Sequence, residues 1–212
     1  MAVCRRRDRR PMGLYQYEES GTMYSAIEVI QQRRTLRRFT TADISDDAIQ
    51  HLLTAAMAAP SLMGRKPWHF VVIRDAEVKR RIAEAFRVHP QLAEAPVWIA
   101  FLADTGASPA WRMDLSAAVM NTLLQATAMG LGATWIGTVD SKWTPAQVEA
   151  CRTLYIPEGW ELFAFAAVGK PAEQRPPHVL DPYVFSTRVH EGKWGNRRHV
   201  PLQQYRSEGG EQ

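Results

Sequence analysis

The chain reads as a single domain of the α/β or α+β class carrying an irregular arm at each end. Three observations point there. Apolar runs of strand length recur along the chain, at Trp68–Arg74, Ala95–Asp104, Gly132–Gly137 and Glu161–Gly169. Stretches with helical apolar spacing stand between them. Both ends lose periodicity: residues 1–22 mix charge with Pro, Gly and Tyr, and the chain from Arg175 onward is rich in Pro, His and Arg. With 212 residues, 46% of them hydrophobic and 23% charged, one sizeable core can form.

Taken in order, residues 23–33 predict a short helix with Met23, Ile27 and Ile30 on one face. "DISDDAIQHLLTAAMAAP" predicts a stronger one. Ser45 is its N-cap, Asp46 and Asp47 suit the positive end of the dipole, and Ile49, Leu52, Leu53 and Ala56 form its stripe. Pro60 marks its end. "WHFVVIR" is a strand of β-formers, followed by the amphipathic "DAEVKRRIAEAFR". "APVWIAFLAD" is apolar almost without a break, as a strand buried on both faces would be. "PAWRMDLSAAVMNTLLQATAMG" is a long helix with a wide apolar surface, ending at Gly130 as the C′ residue. Such a helix is central or packs on a partner. "GATWIG" is a short strand. Thr144 and Pro145 open the next helix as N-cap and N1, and "ELFAFAAVGKP" is the last core strand.

The composition excludes several classes. The formal net charge of +4 permits an acidic ligand without demanding one. The two cysteines, Cys4 and Cys151, sit in dissimilar contexts, so a structural disulfide is not expected and a cytoplasmic setting is. No apolar run reaches the roughly 18–20 residues of a membrane span. The N-terminal arginines lack a following apolar stretch, so no secretory signal is expected. There is no G-x-S-x-G, no C-x-x-C and no helical histidine pair, which leaves metal and nucleophilic-hydrolase chemistry without support.

Two motifs remain. In "GLGATWIG", Gly130 and Gly132 fit the start of a dinucleotide fingerprint, but Trp135 fills the third glycine position. The order helix–glycines–strand is also the reverse of a Rossmann turn. The plain reading is a helix C-cap and a tight turn. In "RRTLRRF", Arg33, Arg34 and Arg37 can converge on one anion, with Thr35 adding a hydroxyl donor. A solvated charge run at the negative pole of a helix explains the same residues.

Four segments, read together, carry a resemblance: "RRTLRRF", "LLTAAMAAPSLMGRKPWHFVVI", "MDLSAAVMNTLLQATAMGLGATWIG" and "FAAVGKP". In this order, over residues 24 to 175 or so, they resemble the FMN-dependent nitroreductase family. The late "YVFSTRVHEGKWG" is similar too. The resemblance implies an α+β fold with a mixed central sheet flanked by helices. It also implies a homodimer with an exchanged C-terminal arm (about residues 175–212), residues 23–212 forming the FMN-binding domain. It implies an FMN enzyme passing electrons from NAD(P)H to a nitroaromatic, quinone or similar small molecule, with no catalytic side chain because the flavin carries the chemistry.

By the same resemblance, Arg33, Arg34, Thr35 and Arg37 hold the FMN phosphate and ribityl end, while Arg38 has no role. Pro60 and Ser61 lie against the flavin, in a loop that often comes from the partner subunit. Gly64 and Lys66 stand at its polar edge, where the family has Asn and Gln. Trp135, Ile136 and Gly137 line the ring. Arg175 reaches back to the phosphate, with His178 competing for that role. A specialised flavin reaction on the same fold (flavin fragmentation, dehalogenation or dehydrogenation) is one alternative. A basic module binding nucleic acid or an acidic partner through residues 1–12 is the other. Neither a nucleic-acid partner nor a membrane is expected.

Overall fold

The computed structural model describes residues 25–137, 144–179 and 181–197. The basic residues 1–12, the arm boundary at residue 22 and Cys4 lie outside them. The helices are α1 (Ala26–Gln32), α2 (Asp46–Met57), α3 (Ala76–Ala85), α4 (Trp111–Ala128), α5 (Pro145–Thr153) and α6 (Pro182–Arg188). The strands are β1 (Trp68–Ile73), β2 (Val97–Asp104), β3 (Gly132–Gly137) and β4 (Trp160–Gly169).

Local chemistry sets the helix starts. Ser25, Ser45, Asp75 and Thr144 each accept a backbone N–H from the first turn, and Ser25 with Glu28 and Thr144 with Gln147 complete capping boxes. α4 ends where Gly130 takes φ +69, the left-handed C′ conformation that glycine adopts without cost. α2 stops at Met57, three residues before the proline that marks its end in the sequence.

The strands form one sheet in the order β1-β2-β4-β3, with every neighbouring pair antiparallel. The mixed character expected of the sheet comes down, among the described residues, to one isolated parallel bridge between Thr35 and Ala133. β1 ends and β2 begins at the same end of the sheet, so the chain re-enters in the opposite direction.

β2 is the central strand and explains its unbroken apolar sequence. Val97, Ile99, Phe101 and Ala103 face one layer with Leu52 of α2 and Leu115 and Val119 of α4. Trp98, Ala100 and Leu102 face the other, with Ile82 of α3 and Cys151 of α5. The Trp98 indole N–H donates to the Leu92 carbonyl at 2.8 Å, so its burial leaves no unpaired polar atom.

One amphipathic expectation meets a different outcome. α1 buries none of its residues, and Ile27 and Ile30 are each 50% exposed. α4 buries Trp111, Leu115, Val119 and Leu123 on one face while Met113 and Met120 stay exposed on another. Helical spacing gives an apolar face but not the body that covers it. The C-terminal arm, expected to be irregular, contains α6.

Candidate functional site

The arginine run does not continue α1 as a solvated helix end. After Gln32 the chain turns extended and lies along the outer edge of β3. Leu36 N–H donates to the Ala133 carbonyl at 3.3 Å, and the Thr134 hydroxyl donates to the Leu36 carbonyl. On its other side, Thr40 N–H donates to Lys170 O and Ala172 N–H to Arg38 O, both at 2.9 Å. Residues 33–40 are thus stitched between β3 and the stretch that leaves β4.

Two glycines make this packing possible. A Cβ on Gly132 would stand 3.1 Å from Leu36 Cδ1 and 3.2 Å from Phe39 Cε1. A Cβ on Gly169 would stand 2.7 Å from Pro96 Cδ and 3.0 Å from Phe39 Cβ. The glycines of "GLG" and "VGKP" therefore let the segment approach the sheet. The helix-cap reading holds for Gly130, while Gly132 serves close approach.

The same stitching brings Arg175 and His178 to the arginines. His178 Nε2 lies 3.4 Å from Arg33 Nη2, and the His178 N–H donates to Gln31 O at 2.7 Å. Arg34 donates to the Pro176 carbonyl. Arg175 faces Glu173 at 3.6 Å. Glu173 Oε1 in turn accepts the amides of Arg37 at 2.5 Å and Arg38 at 3.1 Å. The Arg37 amide, then that of Arg38, with Arg175 nearby, holds the Glu173 carboxyl below its ordinary value against the opposing effect of burial. Arg33 and Arg34 are half-buried, and Arg37 and Arg38 are both exposed. None of the four has a carboxylate ion-pair partner among the described residues.

β3 supplies a second component. Ala133 directs its carbonyl outward to Leu36, so by the two-residue period of a strand Trp135 and Gly137 also turn their backbone N–H and C=O to the outer edge. Among the described residues no backbone group pairs with them there. Trp135 is half-buried, its ring 5.9 Å from Phe163, which packs 6.1 Å from Trp111. Ile136 is placed otherwise: its side chain is 4% exposed in the layer under α3 and α5, and by the same period its backbone N–H and C=O turn inward to Phe165 of β4, so it offers no polar group at this edge.

The turn holding Pro60, Ser61, Gly64 and Lys66 is built firmly. The Ser61 hydroxyl oxygen accepts Lys66 N–H at 3.0 Å. The buried Asp114 accepts Leu62 N–H at 2.9 Å through one oxygen and the Ser108 hydroxyl at 2.8 Å through the other. Met63, Gly64 and Lys66 have φ of 51°, 70° and 47°. Glycine and asparagine are the residues that best tolerate this conformation, so Gly64 preserves the backbone where the resembled pattern has Asn. Lys66 adopts it at a cost of about 1 kcal/mol or more.

This turn precedes β1 at one corner of the sheet, while the arginine segment borders β3 at the opposite corner. Trp68 pairs with Ala103 and Ala133 with Val168, which pairs with Val97. The separation is therefore about 20 Å along the strands and about 14 Å across three strand spacings. The single chain brings the arginines, His178, Arg175 and β3 together but leaves Ser61 and Lys66 apart from them.

Sequence reading passed over Asp114 and Glu173. Asp114 had a signal, an acid on the apolar face of α4 one turn after Trp111 and next to Leu115. Glu173 had none, since it bonds to backbone amides far away in sequence.

Comparison with known proteins gives concordant findings. The profile of the Nitroreductase family matches residues 30–96 and 89–170. The Archaeoglobus fulgidus protein named "Putative NADH dehydrogenase/NAD(P)H nitroreductase" is 34% identical over 177 residues, covering 81% of this chain and 100% of its own. A crystal structure of the same description from Bacteroides thetaiotaomicron superposes with a TM-score of 0.74 at 28% identity, covering 82% of this chain and 100% of that one. A Desulfovibrio desulfuricans protein solved in complex with FMN superposes with a TM-score of 0.64 at 29% identity, covering 77% and 95%.

Proposed function

Because this chain belongs to the nitroreductase family, we propose that it is an FMN-dependent oxidoreductase. It would draw on NAD(P)H and reduce a nitroaromatic, a quinone or a similarly electron-poor small molecule. The observation that carries this reading is the concentration of Arg33, Arg34 and His178 beside the open outer edge of β3. Two half-buried guanidinium groups that no carboxylate neutralises are what a phosphate monoester requires. Outward backbone groups at Trp135 and Gly137 suit the polar rim of a planar ring.

When bound, FMN would supply two-electron redox chemistry between the nicotinamide and the acceptor, in the proposed ping-pong order. The chain's own contribution is to bind and orient. Arg33 and Arg34, with Thr35 and Arg37, hold the phosphate end. The β3 edge fixes the ring, and the edge-to-face Trp135–Phe163–Trp111 cluster gives it an apolar wall. No side chain is assigned a dedicated acid or base role.

Ser61 and Lys66 reach this site only from a second copy. The diagonal placement of the two corners supports a homodimeric site, as do the exposed Ile27, Ile30, Met113 and Met120.

The absorbance spectrum of the purified protein tests the reading, with flavin bands expected to bleach under NADH or NADPH and to recover with a nitrofuran or quinone. Colourless protein that takes up no FMN on titration refutes it. Arg37→Glu is expected to release the flavin and Arg38→Ala to retain it. Both side chains are exposed, and an Arg37→Ala variant that loses flavin with an unchanged urea midpoint separates phosphate contact from folding and from repulsion by Glu173.

A further inference from the structure

On the FMN reading above, we infer that His178 is a phosphate contact whose protonation is coupled to flavin binding, and that Arg175 positions the segment through Glu173 without touching the phosphate. The backbone divides the two residues in this way. His178 is pinned by its N–H to Gln31 at the end of α1, and its ring stands against Arg33. Arg175 is turned to Glu173, whose carboxylate is already committed to the Arg37 and Arg38 amides.

The charged groups on the two segments packed together here are Arg33, Arg34, Arg37 and Arg38 after α1, and Glu173 and Arg175 from the stretch of His178 itself. Asp181 follows it in sequence and accepts the Tyr183 amide. The Arg33 guanidinium lies 3.4 Å from the imidazole. A neutral imidazole can accept a hydrogen bond from that guanidinium. An imidazolium cannot, and two cations at this distance repel each other. A phosphate dianion between them reverses the sign and makes the imidazolium a second donor. Phosphate binding and proton uptake at His178 therefore favour each other, and by linkage the flavin is held more tightly as the imidazole becomes charged. An ordinary imidazole changes charge between about pH 5 and 8. An arginine in the same place would not titrate in that range.

The test is FMN titration of the apoprotein, read by flavin fluorescence, from pH 6 to pH 8.5. Wild type is compared with His178→Arg, His178→Gln and Arg175→Gln. The ligand's own second protonation, near pH 6, is common to all four and cancels in the ratios of Kd. His178→Arg is expected to match wild type at pH 6 and to bind about tenfold more tightly at pH 8.5, the worth of one charge-assisted hydrogen bond. His178→Gln should be about tenfold weaker than wild type at pH 6 and equal to it at pH 8.5. Arg175→Gln should keep the wild-type pH slope. Riboflavin, which lacks the phosphate, should show no pH-dependent difference between wild type and His178→Gln. If His178→Gln follows the wild-type curve at every pH, or Arg175→Gln loses the slope, the inference is overturned while the FMN reading stands. Wild-type protein that binds no FMN at any pH overturns both.

Discussion

Replacing Gly169 by alanine tests whether the arginine segment is held by close approach to the sheet. Gly169 ends β4 without a positive φ, so alanine meets no backbone strain there. In an open strand position the change would stabilise the protein by about 0.4–1 kcal/mol, because the unfolded chain loses freedom. The added methyl would instead stand 2.7 Å from a proline ring carbon and 3.0 Å from two atoms of Phe39. A proline ring cannot rotate away, and overpacking of this kind costs about 1–3 kcal/mol. The net expectation is a loss of about 1–2 kcal/mol, which lowers Tm by about 3–6 °C in a chain of this size. Gly132→Ala should lose less, because the contacts there are 3.1 Å or longer and the nearest is the flexible end of Leu36. Urea denaturation gives both values, and FMN titration shows whether the displaced Phe39 carries the arginines with it. A Gly169→Ala variant as stable as wild type, or more so, would refute the close-approach account, since the two contributions have opposite sign.

Three further outcomes follow from the geometry. Asp114→Ala leaves Leu62 N–H and the Ser108 hydroxyl without their acceptor in a buried site, so a loss of about 3–5 kcal/mol is expected by urea denaturation, with a positive coupling to Ser108→Ala in a double-mutant cycle. Glu173 has its folded-state carboxyl held below the ordinary value of 4.5, so its contribution is present above that value and lost as pH falls through the lower folded-state value. Glu173→Gln should thus be about 1–2 kcal/mol less stable than wild type at pH 7, with the gap closing in acid; a gap independent of pH refutes the assignment. The Cys151 thiol is buried and pushed up from 9.0 to about 11, chiefly by burial and then by Glu161. In a Cys4→Ser background it should react with a thiol reagent at pH 8 about 100-fold more slowly in the folded protein than in urea, and equal rates would refute its burial.

Much of the fold was legible because it depends on local chemistry. Ser45, Asp75 and Thr144 cap their helices whatever surrounds them, since each satisfies an amide three residues on. The unbroken apolar run of β2 announced a strand with helices on both faces. α1 misled because apolar spacing is a property of one helix and burial is a property of two bodies. The turn at residues 60–66 was legible as irregular, but its anchor, Asp114, lies more than fifty residues away.

By itself the sequence determined the capped starts of α2 and α5, the two-sided core strand and the presence of four arginines in six residues. It could not say what those arginines face, because a guanidinium in water and one in a site look the same in a string of letters. The tertiary structure laid residues 33–40 between β3 and the exit of β4, where glycine at 132 and 169 leaves room for Leu36 and Phe39. It also decided between chemically identical neighbours. Arg33 and Arg34 are drawn half into the fold beside His178, while Arg37 and Arg38 remain in solvent with their amides on Glu173. The physical reason is range. Caps and apolar periods act within a turn of helix or a pair of residues, whereas this cluster of charge forms only when distant segments are hydrogen-bonded side by side, as Arg33 and His178 are across 145 positions.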